Sequence, residues 1–180
     1  MKNLFYTLIL LLVISPLTSR GDSPLTSTHF ADAYKDYEIV VYAEEKGTMD
    51  QKIADYLMNG NNPVDVQAAV CNALSWRYEG KKNAELLKGF IAKKYRKDSF
   101  EKVKSRKIKD HMWFSIGYLT ALDDYFNPSV ALPYFEKVKK KKLLKSFTFQ
   151  VVYALVKSQV AFDTDWCRVW TVYEEVDTNE

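Results

Sequence analysis

The chain holds very few residues that can stop a helix. Beyond position 21, glycine stands only at Gly47, Gly60, Gly80, Gly89 and Gly117, and proline only at Pro24, Pro63, Pro128 and Pro133. An all-β fold needs a turn signal about every 8–12 residues, and Gly and Pro are the strongest such punctuation. Their scarcity predicts an all-α fold with short links. Apolar residues make up 47% of the chain and aromatic residues 14%, a content that can bury a core and that a disordered chain lacks.

Local signals place the helix ends. Thr48-Met49-Asp50-Gln51 reads as a capping box with Thr48 as the cap, and Gly47 before it suits the left-handed end of a preceding helix. Asn62-Pro63-Val64-Asp65 and Asn127-Pro128 read as starts, with Pro where its missing donor is harmless. Asp163-Thr164-Asp165 reads as a last N-cap. Apolar residues recur at helical spacing between these marks, as in Val66, Ala69, Val70, Ala73 and Leu74. The stretch from Phe149 to Phe162 is rich in β-branched residues, yet its length and lack of Gly or Pro favour a buried helix.

The expected order is about eight helices in four antiparallel αα-hairpins: 29–46 with 49–59, 63–78 with 82–97, 109–126 with 128–140, and 143–160 with 164–176. Asn72-Ala73-Leu74, Thr120-Ala121-Leu122 and Tyr153-Ala154-Leu155 sit mid-way along the first helix of three successive pairs, but at unequal separations. The segment Val66 to Tyr95 resembles one unit of the HEAT, armadillo or TPR-like α-solenoid class. That resemblance implies an irregular solenoid acting as a binding scaffold; a compact helical bundle is the other arrangement the pattern allows.

The first residues read differently. One basic residue, Lys2, precedes an apolar run from Leu4 to Ile14 that ends at Ser15-Pro16, with small residues at Ser19 and Gly21. That is the layout of a cleavable secretory signal, and the run is shorter than the roughly 20 apolar residues a membrane span needs. Residues 1–21 are therefore expected to be a signal peptide and 22–180 a single helical domain, secreted or periplasmic, with no membrane span after the signal is removed.

Charge is strongly polarised along that domain. Residues 22–65 hold nine acidic and three basic side chains, residues 81–109 twelve basic and three acidic, and residues 163–180 six acidic and one basic. Lys93, Lys94, Arg96 and Lys97 form one basic run, and Lys139, Lys140, Lys141 and Lys142 another. Either is a solvated helix end, where cations complement the dipole, or part of a docking surface for an anionic partner. Export argues against nucleic acid.

Chemistry-bearing groups are sparse. Cys71 and Cys167 are the only cysteines; an exported chain permits a disulfide between them, and each also sits among residues that suit a buried small hydrophobe. His29 and His111 are the only histidines and lack metal-ligand spacing. Trp166 and Trp170 share a helix face and suit core packing. Asp123-Asp124, with Asp110, are the nearest thing to a pair of catalytic carboxylates, but adjacent helical residues diverge by about 100°. No cofactor, metal or catalytic residue is expected. The function the sequence favours is an exported, non-enzymatic helical binding protein whose partner is a protein or an anionic envelope or extracellular surface. A small envelope hydrolase using Asp110, Asp123 or Asp124 and a periplasmic immunity or inhibitor protein are the alternatives.

Overall fold

A computed structural model describes residues 23–76, 82–162 and 164–177. The expected signal peptide, 1–21, lies outside them, as do Gly80 and Asp163. Among the described residues the chain is all-α, with no strand. The helices are α1 (Glu38–Lys46), α2 (Gln51–Leu57), α3 (Val64–Ala73), α4 (Asn83–Lys94), α5 (Asp110–Asp123), α6 (Leu132–Phe135), α7 (Lys141–Leu144), α8 (Phe147–Ala161) and α9 (Trp166–Asp177). Short 3-10 turns cover Phe30–Tyr34, Phe100–Lys102, Ser105–Lys107 and Pro128–Ala131.

The helix α5 organises the rest. Its residues from Met112 to Leu119 are all buried, as are Ala121 and Leu122. A helix apolar on every side belongs in the middle of a fold, and α5 packs against α2, α3, α4, α6, α8 and the Pro128–Ala131 turn. In a solenoid each hairpin touches only its neighbours; here α8 also reaches back to α3. The three tripeptides picked out by sequence do pack inward, with Ala73, Ala121 and Ala154 each 1% exposed or less. The β-branched stretch is helical, as expected, and spans Phe147–Ala161.

Aromatic rings fill the space beside α5. Gly117 lets the Phe135 ring approach so closely that a Cβ there would lie 2.8 Å from it. Phe135 is edge-on to Phe114 at 6.1 Å and stacks on Tyr153 at 5.1 Å. At the other end of the core, the buried Asn72 joins three parts of the chain. Its Oδ1 accepts from Ala31 N at 2.9 Å, and its Nδ2 donates to Thr28 O and to the Tyr118 hydroxyl oxygen.

The helix ends depart from the expected ones in instructive ways. Gly47 is left-handed, φ 61°, and closes α1 as read from sequence. The cap of α2, however, is Asp50, whose carboxylate accepts from Ile53 N at 3.0 Å, and not Thr48. A carboxylate at that position satisfies the same orphan amide and adds a favourable charge at the dipole's positive end. The helix expected over 29–46 begins only at Glu38, after a 3-10 turn. The one expected over 128–140 reduces to the Pro128–Ala131 turn and the four residues of α6, after which the chain runs toward the lysines.

Candidate functional site

Two basic runs flank the N-terminal end of α5. The first grows out of the end of α4, where Lys93 and Lys94 occupy the last turn. Lys97 N bonds Ala92 O at 2.9 Å and Arg96 N bonds Lys93 O at 3.0 Å, the paired bonds of a Schellman-type C-cap. The left-handed position in that cap normally carries glycine; here it is Arg96, with φ 54°. Because the Arg96 side chain is exposed, Arg96→Gly is expected to raise stability by about 0.5–1 kcal/mol. Thermal unfolding checks this, with a rise of roughly 1–4 °C expected; a fall in the midpoint would show that the side chain makes a stabilising contact.

From Lys97 the chain passes through two 3-10 turns pinned by the buried Val103 and Ile108. Lys104, Arg106 and Lys107 between these anchors are exposed. The Tyr95 hydroxyl donates to Lys107 O at 2.7 Å, and the Lys107 ammonium lies 5.8 Å from the centre of the Tyr95 ring. A surface cavity of about 390 Å³ results, lined by Tyr95, Lys97, Val103, Lys104, Arg106 and Lys107. It holds four cations and no carboxylate.

The second run is not a helix C-terminus, where cations complement the dipole; it is the link between α6 and α7. Asp110, the first residue of α5, accepts the backbone amides of Lys139 and Lys140 at 2.6 and 2.5 Å. That clamp holds Lys140 extended, and Lys141 and Lys142 then open the single turn of α7. All four lysine side chains are exposed.

His111 lies where the runs meet. Its ring packs on Gly60 and its Nε2 is 3.2 Å from Met58 O. Burial lowers the imidazole below its ordinary pKa, opposed by the Met58 hydrogen bond, and both Lys140 and Lys94 add to the lowering. One residue of each run thus acts electrostatically on the same ring. Lys88 and Lys102 are ion-paired with Glu85 and Asp98. No ion pair among the described residues takes up Lys93, Lys94, Arg96, Lys97, Lys104, Arg106, Lys107 or Lys139 to Lys142. Sequence had counted Lys104, Arg106 and Lys107 in the regional charge without singling them out; their signal is the alternation of cations between Val103 and Ile108.

The other singled-out residues have structural surroundings. Asp110 and Asp123 stand at opposite ends of α5, about 20 Å apart along its axis. Asp123 Oδ2 accepts from Ala84 N at 2.7 Å, at the start of α4, and Asp124 is exposed just past the helix end. None of the three lines a described cavity. Cys71 and Cys167 are free thiols, the first buried on α3 and the second exposed on α9, so the bond an exported chain permits is not formed here. Burial pushes the Cys71 thiol well above its ordinary pKa. Trp166 and Trp170, expected to pack inward, are 66% and 69% exposed. Val169 and Val172 take the inward face of α9 instead, because the helix lies against α8 on that side.

No helix among the described residues is long and apolar enough to cross a membrane, and no group of His, Cys, Asp or Glu among them is arranged to hold a metal ion. No protein-family model, curated protein or solved structure matches the chain.

Proposed function

We propose that this is an exported, non-enzymatic helical binding protein that docks on an anionic polymer of the cell envelope or extracellular surface. The observation that supports this reading is the approach of two basic runs without ion pairs to one end of α5: Asp110 grips the link at Lys139 and Lys140, and α4, whose first turn is bonded to Asp123 at the far end of α5, brings its last turn back toward Asp110. Clustered cations of one sign raise the local concentration of a polyanion and speed its capture. The hydrolase reading has less support. Its carboxylates are separated, and Asp110 and Asp123 are engaged by backbone amides. The expected signal peptide supports the compartment.

The test is retention on a sulfated polysaccharide column over a range of salt. Affinity for a polyanion falls steeply with salt, at close to one power of salt concentration per neutralised contact. Replacing Lys93, Lys94, Lys139 and Lys140 together by Gln is expected to move elution to much lower salt and flatten the slope. Elution of the unaltered protein at the lowest salt, or no change in the four-fold variant, overturns the proposal. Equally tight capture of single-stranded DNA would redirect it to nucleic acid.

A further inference from the structure

The cavity at the end of α4 carries more than diffuse charge. Resting on the reading of a polyanion-binding face, we infer that it is the discriminating subsite of that face and takes a phosphate monoester carried on a sugar. Three features lead there. Four cationic residues and no carboxylate line one concavity, so a ligand of single charge would leave most of them unmatched. A phosphate monoester carries about −1.5 to −2 at pH 7, with three acceptor oxygens. Nearby cations also draw its second proton off, completing the dianion.

The donor set is mixed in a useful way. Arg106 offers a planar fork that can take two oxygens at once, while Lys97, Lys104 and Lys107 supply compact charges that adapt to the third. The remaining lining residues are Tyr95 and Val103, one of which carries an aromatic ring. The Tyr95 hydroxyl is committed to Lys107 O, which fixes the ring in place and leaves it to act as a surface. The cavity, about 390 Å³, falls in the range of small-molecule sites, roughly 300–1,000 Å³, and exceeds what a bare phosphate fills. A sugar ring, with its C–H face against an aromatic ring, suits the rest of that space.

The lysine run at 139–142 contrasts with this. Its lysines line no described cavity with an aromatic floor, so it contributes long-range attraction and not selection. The left-handed Arg96 has a positional part: the Schellman turn it closes reverses the chain between Tyr95 and Lys97, both of which line the cavity.

The experiment is a titration of the isotopically labelled protein, leader removed, with glucose 6-phosphate, inorganic phosphate, glucose and glucose 6-sulfate, read from amide shifts. Glucose 6-phosphate is expected to shift Tyr95, Lys97 and Lys104 to Lys107 saturably at one site. Inorganic phosphate should bind there more weakly, and glucose not at all. Arg106→Ala, at an exposed position, is expected to weaken binding about tenfold or more through loss of its charge-assisted bonds. Tyr95→Leu should erase the advantage of glucose 6-phosphate over inorganic phosphate, with circular dichroism confirming the helical content. Non-saturating shifts spread evenly over Lys139 to Lys142, or equal binding of glucose 6-sulfate, overturn the inference. If the sulfated column still retains the protein in those cases, only this subsite is lost; if the column fails as well, the anion-binding reading falls with it.

Discussion

Asn72→Ala lowers the free energy of unfolding by about 3–5 kcal/mol, since each buried partner left unsatisfied costs about 1–3 kcal/mol. The partners are Ala31 N, Thr28 O and the Tyr118 hydroxyl, all within 3.2 Å of the amide. Asn72 and Tyr118 are fully buried, so water reaches the bonds to Ala31 and Tyr118 only by opening the core, while the bond to Thr28 O is part-buried. The loss is a large part of the 5–15 kcal/mol that holds a typical domain together. Tyr118→Phe removes one of the three bonds and keeps the ring, so it should cost only about 1 kcal/mol. Urea unfolding of the two variants checks the pair. A shift in Asn72→Ala no larger than that in Tyr118→Phe would mean that the amide is not what ties residues 28–31 to α3 and α5. Hydrogen exchange at Ala31 gives a local readout, expected to lose protection well before the rest of the core.

The contact between Gly117 and Phe135 carries an effect of similar size. Phe135→Ala removes a ring that is 1% exposed and edge-on or stacked against Phe114, Phe149 and Tyr153. The expected cost is about 3–5 kcal/mol, the usual range for emptying a buried aromatic site. Gly117→Ala attacks the same contact from the other side. Its new methyl would sit 2.8 Å from the ring, and the ring is wedged among three others, so it cannot step aside. Overpacking of this kind costs about 1–3 kcal/mol, even though alanine is the better helix former by roughly 1 kcal/mol. Combining Gly117→Ala with Phe135→Leu should cost less than the two separate losses, because the smaller side chain makes room. Strict additivity in thermal or urea unfolding would show that the glycine is tolerated for another reason.

The all-α class was legible because breaker scarcity and helical periodicity are properties of the sequence alone. The left-handed Gly47 and the helical Phe147–Ala161 were legible for the same reason: each is decided within one turn or one stretch. Where two local solutions were equivalent, sequence chose wrongly, naming Thr48 as the cap of α2 where Asp50 takes that place. The outward turn of Trp166 and Trp170 was hidden, since α9 offers an aromatic face and a valine face, and the side against α8 decides between them. The Asn72 junction was invisible too, because its partners lie 41, 44 and 46 positions away. The candidate site was half legible. The charge runs stood out, but their meeting depends on an acid in one segment gripping the main chain of another, and on the reversal at Arg96.

That grip has a consequence for how such a surface can change over generations. Asp110 holds Lys139 and Lys140 by their amide groups, which every residue but proline possesses. The path of the link is therefore indifferent to what its side chains are. Substitutions there can rewrite the surface potential, from cationic to neutral to anionic, while the scaffold beneath keeps its shape. A lineage carrying this fold can exchange one class of target for another at little cost in folding, whereas Asp110, the acid beneath the link, is held to one identity.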